Sequence, residues 1–179
     1  MTRIPADTPI PEASTDVFAA ASNNRQPQLN LHRQMVHSPA VFGRLPRHPK
    51  GIGGPRGLGP PHPLCGDAGV PAAEEVPYTI AVNSVLATRA GFRPDQIDAI
   101  VMSGSCGDAK LDALLILVRH ATRHRGGVSE QAFQQALQAG YSDAELAETF
   151  VSIQLASFVD RFVNYAQTPF NVPTAAEAA

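Results

Sequence analysis

The spacing of apolar residues predicts a chain of amphipathic helices. Apolar side chains recur at intervals of three and four from Leu111 through Leu114 and Leu115 to Val118, which is the period of one helix face. Asp108 stands where a carboxylate can cap the free amides at the helix start, and Gly126-Gly127 follows as a stop signal. The same reasoning predicts a helix over 29–42, with an interruption near Ser38-Pro39, and another from Ser129 to Gln138. A third helix is predicted over 74–90, where Gly91 stands at the end and one face carries Tyr78, Val82, Val85 and Leu86. A fourth is predicted to begin at Pro94, and one side of it carries Ile97, Ile100 and Val101.

The last helix has the clearest start signal. Ser142-Asp143-Ala144-Glu145 forms a capping box, in which serine and glutamate satisfy free backbone amides reciprocally. Apolar positions continue to Pro169 with few charges, so we expect this helix to be buried along most of its length, with Leu146, Phe150, Ile153, Phe158 and Phe162 in its stripe. No segment predicts a strand, and the predicted fold class is all-α.

One segment breaks the pattern. Residues 46–71 contain seven Pro and seven Gly, and no helical or strand period survives there. A structureless loop of this length is uncommon inside a compact domain. We therefore predict an N-terminal extension over 1–28, a helical domain over 29–168 that contains this anomalous loop, and a flexible tail over 169–179.

Charge and hydropathy restrict the possible partners. The formal net charge is −2 and the pI is about 6.3, which argues against a nucleic-acid partner. No apolar run approaches the length of roughly 18 residues that a membrane span needs. The N-terminus lacks the basic head and apolar core of a signal peptide, and two Cys indicate no disulfide framework. These features favour a cytoplasmic protein without a membrane partner.

Neither cysteine is expected to act as a nucleophile. A reactive thiol needs a helix N-terminus, a cation or an adjacent base to lower its pKa. Cys65 lies in the Pro/Gly segment with no such group nearby, and Cys106 only precedes the helix start at Asp108.

The histidines do not predict a metal site. His120 and His124 have the i, i+4 spacing of a two-ligand pair, but no third ligand is recognisable and Arg119, Arg123 and Arg125 surround them. We interpret the five basic residues as donors that complement the carbonyls at the helix C-terminus.

Two other features carry no chemistry by themselves. Solvated helix positions explain His32 and His37. The glycines of 51–54 do not form a phosphate loop, because no strand precedes them and no Gly-Lys-Ser/Thr follows. We expect no metal and no cofactor.

From residue 75 onward the order of motifs resembles a known family. EVPYTIAVNS followed by LATRAGF, the Pro94 helix, KLDALLILVRHATRHRGGVSEQAF, AGYSDAEL and FVDRFVNYAQTP are similar in order and spacing to the carboxymuconolactone decarboxylase and alkylhydroperoxidase D-like superfamily. LNLHRQMVHSPAVF upstream resembles the first helix pair of that family. The resemblance covers 29–43 and 75–173, and it implies an all-helical domain that assembles into dimers, trimers or hexamers.

The resemblance also implies an active site whose residues are replaced here. The family motif is Cys-x-x-Cys-x-x-x-His, often with Tyr before the second Cys, and its peroxidase members reduce hydroperoxides with the two thiols while the His and an upstream Glu relay protons. By position, the first Cys falls on Val76, the second on Thr79 and the His on Asn83, with Tyr78 as a pocket candidate. Val has no nucleophile, and Asn cannot act as the base that a Thr hydroxyl would need.

The position of the family's upstream Glu falls near Leu64, within the Pro/Gly segment. Codons for 58–69 can be chosen so that the adjacent reading frame encodes LDPRTRSAVTLA, which is similar to the family helix expected there, and 44–49 can likewise encode AYRGIR. We therefore hypothesise two compensating frameshifts, one near Gly43 and one near Glu74.

Three functions remain open at this point. The first is a family member of the hydroperoxide-reducing class in which thiol chemistry is lost. The second is a decarboxylase-like or other enzyme that uses Tyr78, Thr79 and Asn83 as substrate hydrogen-bond partners in the same pocket. The third is a non-catalytic oligomeric scaffold. In each case we expect a homo-oligomer.

The frameshift hypothesis makes a direct prediction about the gene. Resequenced coding DNA should encode the two family-like peptides in a neighbouring frame between codons 43 and 74. An unbroken frame, found together with related genes that share the Pro/Gly segment, would disprove the hypothesis.

Overall fold

The computed structural model describes residues 2–7, 9–15, 29–42 and 69–172, apart from the side chains of Pro39 and Phe42. The described residues form helices and no strands, which confirms the all-α prediction. None of the described helices is long and apolar enough to span a membrane. A short 3-10 helix (Glu12–Ser14) is followed by α1 (Asn30–Met35), α2 (Pro39–Phe42), α3 (Gly69–Glu74), α4 (Pro77–Arg89), α5 (Pro94–Val101), α6 (Ala109–Arg123), α7 (Glu130–Gln138) and α8 (Asp143–Ala166).

The chain divides into two units. One comprises Met1–Gly51 together with Arg161–Ala179, and the other comprises Ile52–Asp160. The larger unit is organised around α6, in which Leu114, Leu115 and Val118 are completely buried. Its core also takes residues from the neighbouring helices and loops: Val70, Ala87, Ile97, Ile100, Cys106, Ala136, Tyr141, Leu146, Ile153 and Ala156.

The predicted helix boundaries around α6 are confirmed. The Asp108 carboxylate accepts hydrogen bonds from the backbone amides of Lys110 and Leu111, at 2.9 and 3.0 Å. Gly126, after the last turn, has φ +95°, and its amide donates to the Ala121 carbonyl. That left-handed conformation is one that glycine adopts without a steric penalty.

The helix predicted over 74–90 begins at Pro77 instead. Proline fits the first helical position and forces the preceding residue out of the helical region, so Val76 is extended with φ −99° and ψ 100°. Glu75, the residue directly after α3, lies in the left-handed region with φ +57°. Of the predicted apolar face only Tyr78 is fully buried, whereas Val82, Val85 and Leu86 are half-buried.

The prediction that the last helix is buried along most of its length is wrong. The capping box is present, because the Glu145 carboxylate accepts from the Ser142 amide at 2.7 Å and the Ser142 hydroxyl accepts from the Glu145 amide at 3.3 Å. Leu146 and Ile153 are buried, but Phe150 and Phe158 are 48% and 43% exposed. The buried stripe instead takes small and polar residues, namely Thr149, Ala156, Ser157 and Asp160.

In the smaller unit, the buried amide of Gln34 connects three chain segments. It donates to the Thr2 hydroxyl at 3.0 Å and to the Ile4 carbonyl at 2.6 Å, and it accepts from the Thr168 hydroxyl at 2.5 Å. Asn30, the first residue of α1, makes two further hydrogen bonds in this unit. Its side-chain amide donates to the Pro169 carbonyl at 3.1 Å, and its backbone amide donates to the Asn171 side-chain oxygen at 3.0 Å. Buried polar groups are stable only when they are paired in this way, so Gln34 fixes how these segments meet.

Part of the anomalous segment can be located. Residues 69–71, which were expected to be irregular, begin α3, because proline is tolerated in a first helical turn. Residues 46–68, which include Cys65, Leu64 and the glycines of 51–54, lie outside the described residues.

Candidate functional site

The positions that the resemblance assigns to the family motif lie at the start of α4. Val76 is the N-cap residue, 1% exposed, and its carbonyl accepts from the Ile80 amide at 3.0 Å and from the Thr79 hydroxyl at 3.2 Å. Asn83 is half-buried one turn beyond Thr79. The three positions therefore lie along successive turns at a helix N-terminus, where a thiolate would be stabilised by the free amides.

The residues at those positions cannot perform thiol chemistry. The Val76 side chain is a buried hydrocarbon, and the Thr79 hydroxyl, which is 4% exposed, donates its proton to a backbone carbonyl. Tyr78 is also buried. A threonine nucleophile needs an adjacent base to take its proton. Among the residues that the structure describes, the hydrogen-bond partner of the Thr79 hydroxyl is that carbonyl.

A polar contact next to this helix start was not expected from the sequence. Ser157 on α8 donates to the Glu74 carboxylate at 2.9 Å, two residues before Val76. Asp160, one turn along α8, is 1% exposed. The sequence signal for buried polar groups at this place was a polar residue within an otherwise apolar helix stripe. Ser157 and Asp160 are both residues of this kind.

The surroundings of Cys106 favour its thiol form over the thiolate. It is 5% exposed, and its amide donates to the Asp112 carboxylate at 2.8 Å while the Ser105 hydroxyl donates to the same carboxylate at 2.5 Å. Burial raises the pKa of the Cys106 thiol, and the hydrogen bond and negative charge of Asp112 raise it further. Burial also acts to raise the pKa of Asp112, but hydrogen bonds from Ser105 and Cys106 outweigh it and hold that pKa below its usual value. The prediction that Cys106 is not a nucleophile agrees with these contacts.

Arg119 lies within electrostatic reach of this loop. It is 8% exposed, and its guanidinium donates to the Ile100 carbonyl at 3.1 Å. Burial lowers the pKa of Arg119, the nearby Arg123 lowers it further, and Asp112 and Cys106 act in the opposite direction. In the part of the chain that the structure describes, its Nε–H has no hydrogen-bond acceptor.

In the described part of the chain, the histidines are not part of a metal site. The rings of His120 and His124 are 5.3 Å apart, and His124 Nδ1 lies 2.9 Å from the His120 carbonyl oxygen, to which it donates. No group of three or more potential ligands occurs among the residues that the structure describes. His37 is exposed, but His32 is half-buried, and its burial lowers its pKa. The prediction that His32 is a solvated position is therefore wrong, because its part of α1 packs against the rest of the smaller unit.

Comparisons with known proteins support the fold. No protein-family model matches this chain, and no curated protein matches it. Among solved structures it is similar to an uncharacterized peroxidase-related protein from Silicibacter sp. TM1040, with a TM-score of 0.80 and 12% identity over 99% of this chain and 94% of that chain. At this identity the likeness shows a shared helical fold.

The environment of Cys106 predicts a slow, strongly pH-dependent reaction with alkylating agents. Because the thiolate is the reactive form and the pKa is raised, the alkylation rate should increase only at pH values above those that suffice for a free cysteine. Asp112→Asn removes the negative charge and should move this midpoint to lower pH. Iodoacetamide labelling of the Cys106 peptide, measured by mass spectrometry across pH, tests both statements.

Asp95→Asn provides the control, because Asp95 is an exposed carboxylate paired with Arg93 on α5. It should leave the Cys106 midpoint in place. A wild-type midpoint at or below that of a free thiol would contradict the raised pKa.

Proposed function

We propose that this chain is an alkylhydroperoxidase-like helical protein that lacks the two-thiol peroxide chemistry of the family it resembles. The observation that carries the proposal is the start of α4, where the positions of the two thiols and the histidine hold Val76, Thr79 and Asn83. The helix-start geometry suits a thiolate, but no thiol is there. The fold shared with a peroxidase-related protein supports the wider relationship.

The cysteine closest to this region within the described residues does not replace the missing thiols. Cys106 follows α5, and its pKa is raised by burial and by Asp112. A peroxidatic cysteine requires the reverse, a pKa lowered by cations or free amides. Hydroperoxide reduction by Cys106 is therefore not part of the proposal.

The proposal is tested by adding back what is missing. The wild-type protein with dithiothreitol and an organic hydroperoxide should show no turnover above that of a Cys65→Ala/Cys106→Ala variant. The triple substitution Val76→Cys/Thr79→Cys/Asn83→His should create turnover, because it puts the first thiol on the N-cap of α4 and the second one turn along.

The matched control is Val76→Ser/Thr79→Ser/Asn83→His, which keeps the side-chain size and has neither of the two introduced thiols. Cysteine-dependent turnover by the wild-type protein would contradict the loss of thiol chemistry. A correctly folded triple variant with no activity would contradict the proposed relationship of the helix start to the family motif.

We further propose that the protein is a homo-oligomer, and one face of α8 supports this. Val151 is 57% exposed and Phe158 is 43% exposed, and with Gln154 they repeat at the three- and four-residue spacing of one helix side. Burying one such large apolar side chain contributes about 1.5–3 kcal/mol. The resemblance implies assembly of identical chains, so we assign a second copy of this chain to the face.

Light scattering over a range of concentrations tests the assembly. The wild-type protein should exceed the mass of one chain, and Val151→Lys should shift the distribution toward single chains. Gln138→Lys, an exposed change on α7, should leave the mass unchanged. A wild-type protein that stays at the mass of one chain at every concentration contradicts the proposal.

A further inference from the structure

We propose that the C-terminal end of α6 binds a phosphate ester, with Arg123 and Arg125 holding the phosphate and the Phe150 ring contacting the organic group. The site is built from the basic cluster, defined as Arg119, His120, Arg123, His124 and Arg125, and from the exposed aromatic ring beside it. This inference is independent of the proposed function.

The first step is the concentration of like charge. Arg119 and Arg123 are four residues apart on α6, as are His120 and His124, so two pairs of basic side chains lie side by side on the last turns of the helix. Like charges at this spacing destabilise a helix by a few tenths of a kcal/mol in isolated peptides. Burial lowers the pKa of Arg119, and the charge of the nearby Arg123 lowers it further, as expected for two guanidinium groups one turn apart.

The second step is that neither exposed arginine has a partner of its own. Over the described part of the chain, the side chains of Arg123 and Arg125 make no hydrogen bond or ion pair. Each guanidinium carries five N–H donors in a planar fork that matches phosphate oxygens. Their donors are therefore available to a ligand.

The third step concerns the helix carbonyls, which the basic residues were predicted to complement. Only His124 does so, through Nδ1 to the His120 carbonyl. Backbone amides of the following turn satisfy other carbonyls, since Gly126 donates to Ala121 at 2.7 Å and Gly127 donates to His124 at 3.0 Å. The two exposed arginines are thus not required as hydrogen-bonding caps. The helix C-terminus carries about half a negative charge, which is less than the two full positive charges of these arginines, so this end of the helix stays positive.

The fourth step identifies the rest of the ligand. Phe150 on α8 is 48% exposed, and its ring lies 3.3 Å from the place that a Cβ on Gly126 would occupy. Gly126 follows Arg125 directly, so an apolar surface borders the charged one. A phosphate attached to an aromatic or aliphatic group fits that combination better than a free phosphate ion does.

The size and charge of the site favour a small ligand over a nucleic acid. The cluster occupies one end of one helix, and the whole chain has a net charge of −2. A polyanion is normally bound by a basic surface that extends along several phosphates.

The test uses two probes, phenyl phosphate and inorganic phosphate, titrated into the full-length protein and followed by phosphorus NMR and calorimetry. Wild-type protein should bind both, and phenyl phosphate more tightly. Arg123→Gln/Arg125→Gln should weaken both about tenfold, because the charge-assisted hydrogen bonds are lost. Arg89→Gln/Arg93→Gln, which removes the same net charge from α4 and the start of α5, should change neither.

Phe150→Ala separates the two parts of the site. It should weaken phenyl phosphate several-fold and leave inorganic phosphate unchanged, with circular dichroism confirming that each variant is folded. The proposal is overturned if wild-type protein binds neither probe, or if the double arginine variant binds as wild type does. It also fails if a single-stranded oligonucleotide binds at this cluster while both small phosphates do not.

Discussion

The burial of α6 is the constraint on which the larger unit depends. Leu114, Leu115 and Val118 are completely buried, and residues from the surrounding helices and loops complete one contiguous core around them. Removing one such side chain from a packed core typically costs about 2–5 kcal/mol, which is a large part of the stability of a domain of this size. A helix that is buried around so much of its circumference cannot place charges along its middle. Its polar chemistry is therefore confined to its two ends, and the two ends differ in character.

At the N-terminal end of α6, polar groups are used for structure. Asp108 caps the helix, and Asp112 accepts hydrogen bonds from Ser105 and Cys106, so the loop before the helix is fixed by carboxylates. Burial, together with the same carboxylate, raises the pKa of the adjacent Cys106 thiol. At the C-terminal end the turn satisfies its carbonyls through its own amides, and the exposed arginines are left with unused donors. Charge therefore has a structural role at the N-terminal end, whereas at the C-terminal end Arg123 and Arg125 have donors available to a ligand.

The sequence predicted the elements well where the signals were local. Asp108, the Ser142–Glu145 pair and Gly126 act within one or two turns, so their caps and stops could be predicted from residue type and spacing. Burial was less predictable, because it depends on which helix packs on which. Phe150 and Phe158 fit a helical period as well as Leu146 and Ile153 do, yet they face outward, while Ser157 and Asp160 face inward. A polar residue in the apolar stripe of α8 was visible in the sequence, but no pattern indicated that Ser157 would contact Glu74, 83 residues away.

The backbone at the start of α4 is set independently of the side chains that the resemblance would place there. Three residues set this geometry: Glu75 in the left-handed region, Val76 extended, and Pro77 in the first helical turn. None of these conformations needs a thiol, because each follows from the proline and from the way α3 ends. The Val76 amide donates to the Pro71 carbonyl at 3.1 Å, so the backbone closes the turn between the two helices without help from side chains. The proposed absence of thiol chemistry therefore carries little structural cost, because this backbone frame depends on no cysteine or histidine side chain.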